Sequence, residues 1–395
     1  MCSRIVALIA VLAALVPAVA AAQPANPVPL PIGYLALQDD PRFDPLLAHY
    51  EIPVRPWGPS LNGAELGIAD GLQVAQEVNI LFTIEGATEP TVAAMIGTID
   101  EFLAIGVHFV IVDLPAAMLL ELADAVADRP VTLLNVSAQE DSLRGTDCRA
   151  NVIHIIPSYR MLTDAMAQYL VAKRWRNILV LAGPTATDTE IVEALRQSAA
   201  NFGARIVDVR AFQPGADALN RDATNVALLT AGANHDVVFV ADADGEFAAR
   251  VPFQTNDARP VVGAAGLVAT AWHWAWDRQG AQQLNGRFEY FFARRMGPVD
   301  WAAWTAVRAI TQSALRTNSA DYATLLDFVL SDRLTLDGVK ASAMSVRPWD
   351  HQLRQPILLA SSNIVIDRAP IGGFVHPVNN LDTLGVDAGQ SACRM

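Results

Sequence analysis

The strongest constraint on this chain is a pattern: short, almost wholly apolar segments alternate with amphipathic helical stretches, and the alternation runs twice. Gly33–Leu37, Asn79–Ile84, His108–Asp113 and Val131–Val136 read as strands, separated by helices over Leu61–Asp70, Thr91–Ala104 and Ala116–Ala127. Strands apolar on both faces must be covered on both faces, which implies a parallel sheet between helical layers. The pattern restarts at Val152–Ile156 and continues through a helix at Met161–Trp175 and strands at Asn177–Ala182, Ile206–Val209, Asp236–Ala241 and Pro260–Gly263. Between them, Thr187 and Glu190 have the spacing of a capping box before a helix that Gly203 ends. The expected fold class is α/β: two doubly wound parallel-sheet lobes joined by a hinge. The expected boundaries are 23–150 for the first lobe, 151–285 for the second, and 286–395 for a return to the first. That return comprises a long helix capped by Asp300, a helix over Asp321–Leu330, a hairpin of Ala343–Arg347 against Gln352–Ala360, and a tail.

Residues 1–22 read as a cleaved secretory leader, with Arg4 before an apolar run from Ile5 to Val16 and an alanine-rich end. The run is shorter than the roughly 20 apolar residues a membrane helix needs, so a freely diffusing periplasmic protein is expected. In that oxidising compartment Cys148 and Cys393, both in polar, turn-rich stretches, are expected to form a disulfide. The formal net charge is −13, and Lys173, Arg174 and Arg176 are the nearest approach to a basic cluster. Nucleic acid is therefore not an expected partner.

Common catalytic constellations are missing: there is no G-x-S-x-G, H-E-x-x-H, C-x-x-C or phosphate-loop pattern. Binding without catalysis or a cofactor is the expectation. Ligands of open parallel sheets sit beyond the carboxyl ends of the strands, which selects Gln38, Asp39, Asp40, Asn135 and Ser137 in the first lobe. In the second it selects Ser158, Tyr159, Asp188, Asp242, Asp244 and Glu246, with Trp272 and His273 as aromatic candidates. The same positions serve as helix caps in many proteins. If Asp39, Asp40, Asp242, Asp244 and Glu246 converge, their oxygens suit a hard cation or a cationic organic solute; the identity of any metal is left open.

Several stretches carry a resemblance: Gly33-Tyr34-Leu35, Asn135-Val136-Ser137-Ala138, Leu143-Arg144-Gly145 through Cys148-Arg149, Pro157-Ser158 and Arg287-Phe288. Gln352-Leu353-Arg354-Gln355-Pro356-Ile357 and the tail from Leu381-Asp382-Thr383-Leu384-Gly385 to Cys393-Arg394-Met395 add to it. Together with the two-lobe layout, the chain resembles type I periplasmic solute-binding proteins of the leucine/isoleucine/valine-binding group. Within that group it is most similar to ABC-transporter substrate-binding proteins associated with PQQ-dependent alcohol dehydrogenase systems. The resemblance implies a monomer that closes two lobes over a small molecule or metal ion and delivers it to an ABC permease. The alternatives it leaves are a calcium or lanthanide binder, or an accessory protein or enzyme acting with the dehydrogenase. Where amino-acid-binding members carry a serine-rich stretch and an aromatic-glycine pair, this chain has Leu114-Pro115-Ala116-Ala117 and Gly183-Pro184-Thr185-Ala186, so an α-amino acid is not the implied ligand. PQQ would want cationic walls; Arg42, Arg144 and Arg160 are the candidates, set against acidic loops.

Overall fold

The structure, a computed structural model, describes residues 26–41, 58–213 and 221–395. The expected leader, Arg42 and most of the segment after the first strand lie outside these. The strands in chain order are β1 Val28–Leu37, β2 Ile80–Glu89, β3 Phe109–Asp113, β4 Thr132–Asn135, β5 Val152–His154, β6 Asn177–Ala182, β7 Arg205–Ala211, β8 Val237–Ala241, β9 Val261–Gly263, β10 Val268–Thr270, β11 Leu336–Asp337, β12 Ala343–Met344, β13 Ile357–Ser361 and β14 Ile364–Ala369. Two parallel sheets dominate, in the orders β2-β1-β3-β4-β5 and β7-β6-β8-β9. Every residue of β3 and of β8 is buried, as a strand covered by helices on both faces requires. The strand order reverses between β1 and β3 in one sheet and between β6 and β8 in the other, and crevices open at such points.

Helix Leu61–Asp70 lies on the long helix Pro298–Thr317 at backbone distance. A Cβ at Gly63 would fall 2.0 Å from the Asp300 carbonyl oxygen, and one at Gly67 would fall 2.8 Å from Val307. Glycine at both positions is what allows the approach. Trp301, Trp304, Val307, Leu284, Phe288 and Leu325 all join the core of the first sheet. The second sheet has its own core, in which Ile178, Val180 and Phe239 meet Met161 and Leu170 of helix Tyr159–Ala172.

The chain crosses between lobes earlier and more often than the sequence suggests. Ala271 and Trp272, directly after β10, already belong to the first core, well before the expected boundary at 285. Conversely, β13 and β14 do not finish the first lobe. They pair antiparallel with each other and with β10, and Ile357, Leu359, Ala369, Ile371 and Leu384 pack into the second core.

The expected hairpin forms, but only around its turn. The Arg347 amide donates to the Gln352 carbonyl at 2.9 Å and the Arg354 amide to the Ser345 carbonyl at 2.8 Å about the antiparallel Val346–Leu353 bridge, whereas Ala343–Met344 pairs with Leu336–Asp337 and Ile357–Ser361 with β14. Its second segment also extends the edge of the first sheet. The Leu353 amide donates to the His154 carbonyl at 2.8 Å and the His154 amide to the His351 carbonyl at 2.9 Å, which draws 351–353 alongside β5. β13–β14 is a second, longer hairpin that the sequence reading did not include.

Two caps also move. Thr185, not Thr187, caps helix Ala186–Phe202, and its partner is Asp188. Gly297 occupies the cap before the long helix, while Asp300 sits three residues in and accepts from the Gly297 amide at 2.9 Å.

Candidate ligand cleft

In the first lobe the carboxyl ends of β1 and β3 hold a buried polar chain: the Tyr34 hydroxyl lies 3.2 Å from Ser60 Oγ, which donates to Asp113 Oδ2 at 2.6 Å. Ser60 precedes helix Leu61–Asp70 and is fully buried, as is Asp113. The strand-end rule applied to the sequence passed over all three. A lone acid closing the apolar run Phe109–Asp113 was the available signal. Beside them, the expected candidate Asn135 is buried and stitches its own loop: Oδ1 accepts from the Ser137 and Ala138 amides at 3.2 and 2.9 Å, and Nδ2 donates to the Ala138 carbonyl at 2.8 Å. Ser137 donates to the Leu114 carbonyl at 3.2 Å. Gln38 and Asp39 are exposed at the end of β1, and Asp40 is buried.

The second lobe repeats this economy. Asp188 is 1% exposed: Oδ2 accepts from the Thr185 amide at 2.9 Å and hydroxyl at 2.7 Å, and Oδ1 accepts from the Ala243 amide at 2.6 Å. Asp242 Oδ2 accepts from the Ala248 amide at 2.8 Å. Burial, with Asp188 and Asp244 nearby, raises its pKa above the ordinary carboxylate range. Asp244 and Glu246 are exposed on the same loop. Among the described residues no three of His, Cys, Asp and Glu come together as a metal site. The expected convergence of Asp39, Asp40, Asp242, Asp244 and Glu246 on one cation does not form there.

The aromatic expectation is corrected too. Trp272 is 1% exposed, stacks on Trp301 with ring centroids 6.1 Å apart and donates from Nε1 to Asn285 at 3.0 Å. It is a core residue of the first lobe, held there because the chain crosses back at Ala271. His273 is half-buried, and its Nδ1 accepts from the Ala275 amide at 3.1 Å. Burial and Arg295 hold its pKa below the ordinary histidine value.

What the lobes do bring together lies at their junction. After β4, Gln139 accepts from the Tyr159 amide at 3.0 Å through its carbonyl and donates to the Pro157 carbonyl at 3.1 Å. Ser158 caps helix Tyr159–Ala172 through the Met161 amide at 3.4 Å. Asp141 accepts from the Arg160 amide at 3.0 Å and also meets Ser158.

Around half-buried Tyr159 stand Glu140 and Asp141 of the first lobe and Glu190 of the second. Burial and these acids push the tyrosine hydroxyl well above its ordinary pKa. Glu190, exposed on helix Ala186–Phe202, is raised by partial burial and by Glu140 and Asp141 across the junction. Glu140 Oε2 is buried with no hydrogen-bond partner.

Two cations stand beside these acids, and the charges of Arg144 and Arg160 both favour the ionised form of Asp141, but the hydrogen bonds of their guanidinium groups go to other partners. Arg144 donates to Gln352 and to the carbonyls of Ala138, Glu140 and Ile156, and Arg160 donates to Asp164 at 2.8 Å and Gln197 at 2.7 Å. Glu140 and Glu190 were not selected from sequence, since neither ends a strand. A pair of acids before the Ser142-Leu143-Arg144 turn was the only cue.

Residues 100–251 match the periplasmic binding protein family. None of the curated proteins compared with the chain matches it. Three solved structures share the architecture. A branched chain amino acid ABC transporter periplasmic ligand-binding protein from Burkholderia xenovorans is 13% identical, with 93% of this chain and 99% of that one covered and a TM-score of 0.70. The leucine-, isoleucine-, valine-, threonine- and alanine-binding protein from Brucella ovis, in its closed conformation, is 13% identical, with 94% and 99% covered and a TM-score of 0.71. A solute-binding protein of an ABC transporter from Rhodopseudomonas palustris, in complex with 3,4-dihydroxy benzoic acid, is 10% identical, with 86% and 97% covered and a TM-score of 0.60. At these identities the likeness establishes the fold: two α/β lobes of the type I periplasmic binding protein kind.

Proposed function

We propose that this chain is the periplasmic solute-binding component of an ABC transporter, and that it closes its lobes over a small cationic solute. The observation that carries the reading is the junction itself, where Glu140 and Asp141 of one lobe stand with Glu190 of the other around Tyr159. Arg144 and Arg160 offset part of the charge of Glu140 and Asp141 on their own side, but Glu190 feels the two acids across the junction with no cation beside it among the described residues, and that repulsion favours an open form. A cation between them removes the repulsion and is attracted from both sides, so it has the differential affinity for the closed form that hinge closure requires. Tyr159 supplies an aromatic face for an organic cation. Ser158 and Asp141 act as positioning groups beneath it, and the family matches of the fold support delivery to a membrane permease. The resemblance of the tail and of the 352–357 stretch supports a finer reading, that the transporter serves a PQQ-dependent alcohol-oxidising system. Loss of growth on alcohols in a strain lacking the gene tests that part; unimpaired growth counts against it.

A thermal-shift survey of amines, polyols and carboxylates tests the binding reading. An amine at a hundred times its Kd raises stability by about 2.7 kcal/mol. Stabilisation by carboxylates alone overturns the cationic assignment, and stabilisation by no solute overturns binding.

A further inference from the structure

Three crossings join the lobes, at 155–158, 271 and 353–357, and the chain does not end after them. Its last stretch returns to both lobes at once. On the second-lobe side, the Gly385 amide donates to Asp164 Oδ2 at 2.7 Å and Gln168 donates to Thr383 at 3.1 Å, both acceptor and donor lying on helix Tyr159–Ala172. On the first-lobe side, Arg347, in the loop that leads into the 351–353 extension of the first sheet, donates from Nε to Asp382 at 2.9 Å and from Nη2 to the Leu384 carbonyl at 2.5 Å. Arg354 donates to the same carboxylate at 2.8 Å. A Cβ at Gly385 would meet Arg347 Nη1 and Met161 Cγ, each at 2.9 Å, so the tail is wedged between a first-lobe arginine and the second-lobe core. Eight residues later the wedge is made covalent: Cys393 is bonded to Cys148, which lies between β4 and β5 of the first lobe, at an S–S distance of 2.11 Å.

We infer that the C-terminal segment from Leu381 to Cys393 is a redox-sensitive strap that limits how far the two lobes open. Asp382 is 4% exposed and Arg347 1% exposed, so drawing the tail out would strip a buried guanidinium of the carboxylate it donates to at 2.9 Å and leave it only the Asp350 carboxylate at 3.7 Å. The disulfide prevents that withdrawal by pinning the far end to the first lobe. With the bond intact, opening must work against the Gly385–Asp164 and Gln168–Thr383 contacts while the tail stays in place. With the bond exchanged for two thiols by a dithiol, which leaves as its own cyclic disulfide, the tail can peel away and the hinge widens.

The test needs no ligand. Small-angle scattering of the ligand-free full chain, oxidised and then treated with dithiothreitol, is compared with a Cys148→Ser, Cys393→Ser variant, and hydrogen exchange is read on the same samples. The expected result is a larger radius of gyration after reduction, a variant that is already at the larger value and does not respond to dithiothreitol, and new exchange confined to 381–395 and the three crossings. Equal dimensions in every state overturn the inference. So does expansion with exchange spread through both sheets, which reports loss of fold. Should the variant fail to fold, reduction of the wild-type protein alone decides between these outcomes.

Discussion

Two sets of acids in this molecule look alike in sequence and differ in kind. Asp188, in the first turn of the helix that follows β6, and Asp242, directly after β8, lie where the architecture predicts ligands, yet their oxygens are taken by the amides of Thr185, Ala243 and Ala248. Glu140 and Glu190 lie farther from the strand ends, and Glu140 keeps a buried oxygen without a partner while Glu190 feels the acids of the opposite lobe. A carboxylate can hold a ligand only with lone pairs its own loop has left unused. The first set staples loops, and the second, on the function proposed above, is where the lobes have something to gain from a solute.

The comparison breaks first if a staple proves dispensable. Trp272, another residue whose polar atom is already committed, is expected to cost about 3–5 kcal/mol when replaced by alanine, as buried tryptophans do, with no selective loss of binding in the molecules that remain folded. Chemical denaturation measures it; a loss below about 1 kcal/mol would return Trp272 to the cleft. Asp188→Ala removes the acceptor of two amides and a hydroxyl, and about 3 kcal/mol of stability should go with it. An unchanged unfolding midpoint for that variant would mean the oxygens are free to serve a ligand after all.

Titration separates the sets by sign. His154 is buried, with Nδ1 against the Asn135 amide at 3.0 Å and Nε2 against the Leu143 carbonyl at 3.1 Å, and burial followed by Arg144 hold its pKa well below the ordinary value. The unfolded chain therefore takes up the proton first, and stability falls as pH drops below about 6.5, by roughly 1.4 kcal/mol per pH unit for one proton. Asp350, raised to about 6 chiefly by burial, works the other way: the folded state holds the proton more tightly, so its penalty is relieved as pH falls from about 6 toward 4. A His154→Asn variant should flatten the decline between pH 6.5 and 5; an unchanged slope would place the responsible group elsewhere. At the junction, Glu190→Gln should leave stability within about 0.5 kcal/mol, because nothing in the fold depends on that carboxylate. A larger loss would make Glu190 a structural acid like Asp188.

How much of this was legible follows from the same distinction. Asn177–Ala182 and Leu61–Asp70 have the bounds read from sequence, because an all-apolar run and an amphipathic period each permit one structure. The 343–360 segment was legible in part: the hairpin about Val346–Leu353 forms as its turn and alternation suggest, while the tertiary partners of its ends, β11 for Ala343–Met344 and β10 and β14 for Ile357–Ser361, leave no signal in the segment itself. The lobe boundary was misplaced because Trp272 and Trp276 look the same at a cleft as in a core. The junction acids Glu140 and Glu190 were not selected because a strand-end rule names positions, whereas unused lone pairs emerge only when the loops are folded around them.

The central claim is that the junction acids, and not the strand-end loop, receive the solute. The direct measurement is calorimetric titration of the amine that best stabilises the wild-type protein into two variants: Glu140→Gln, Glu190→Gln and, separately, Asp244→Asn, Glu246→Gln. The account predicts at least a tenfold loss of affinity in the first pair and an unchanged Kd in the second. The reverse pattern would contradict it.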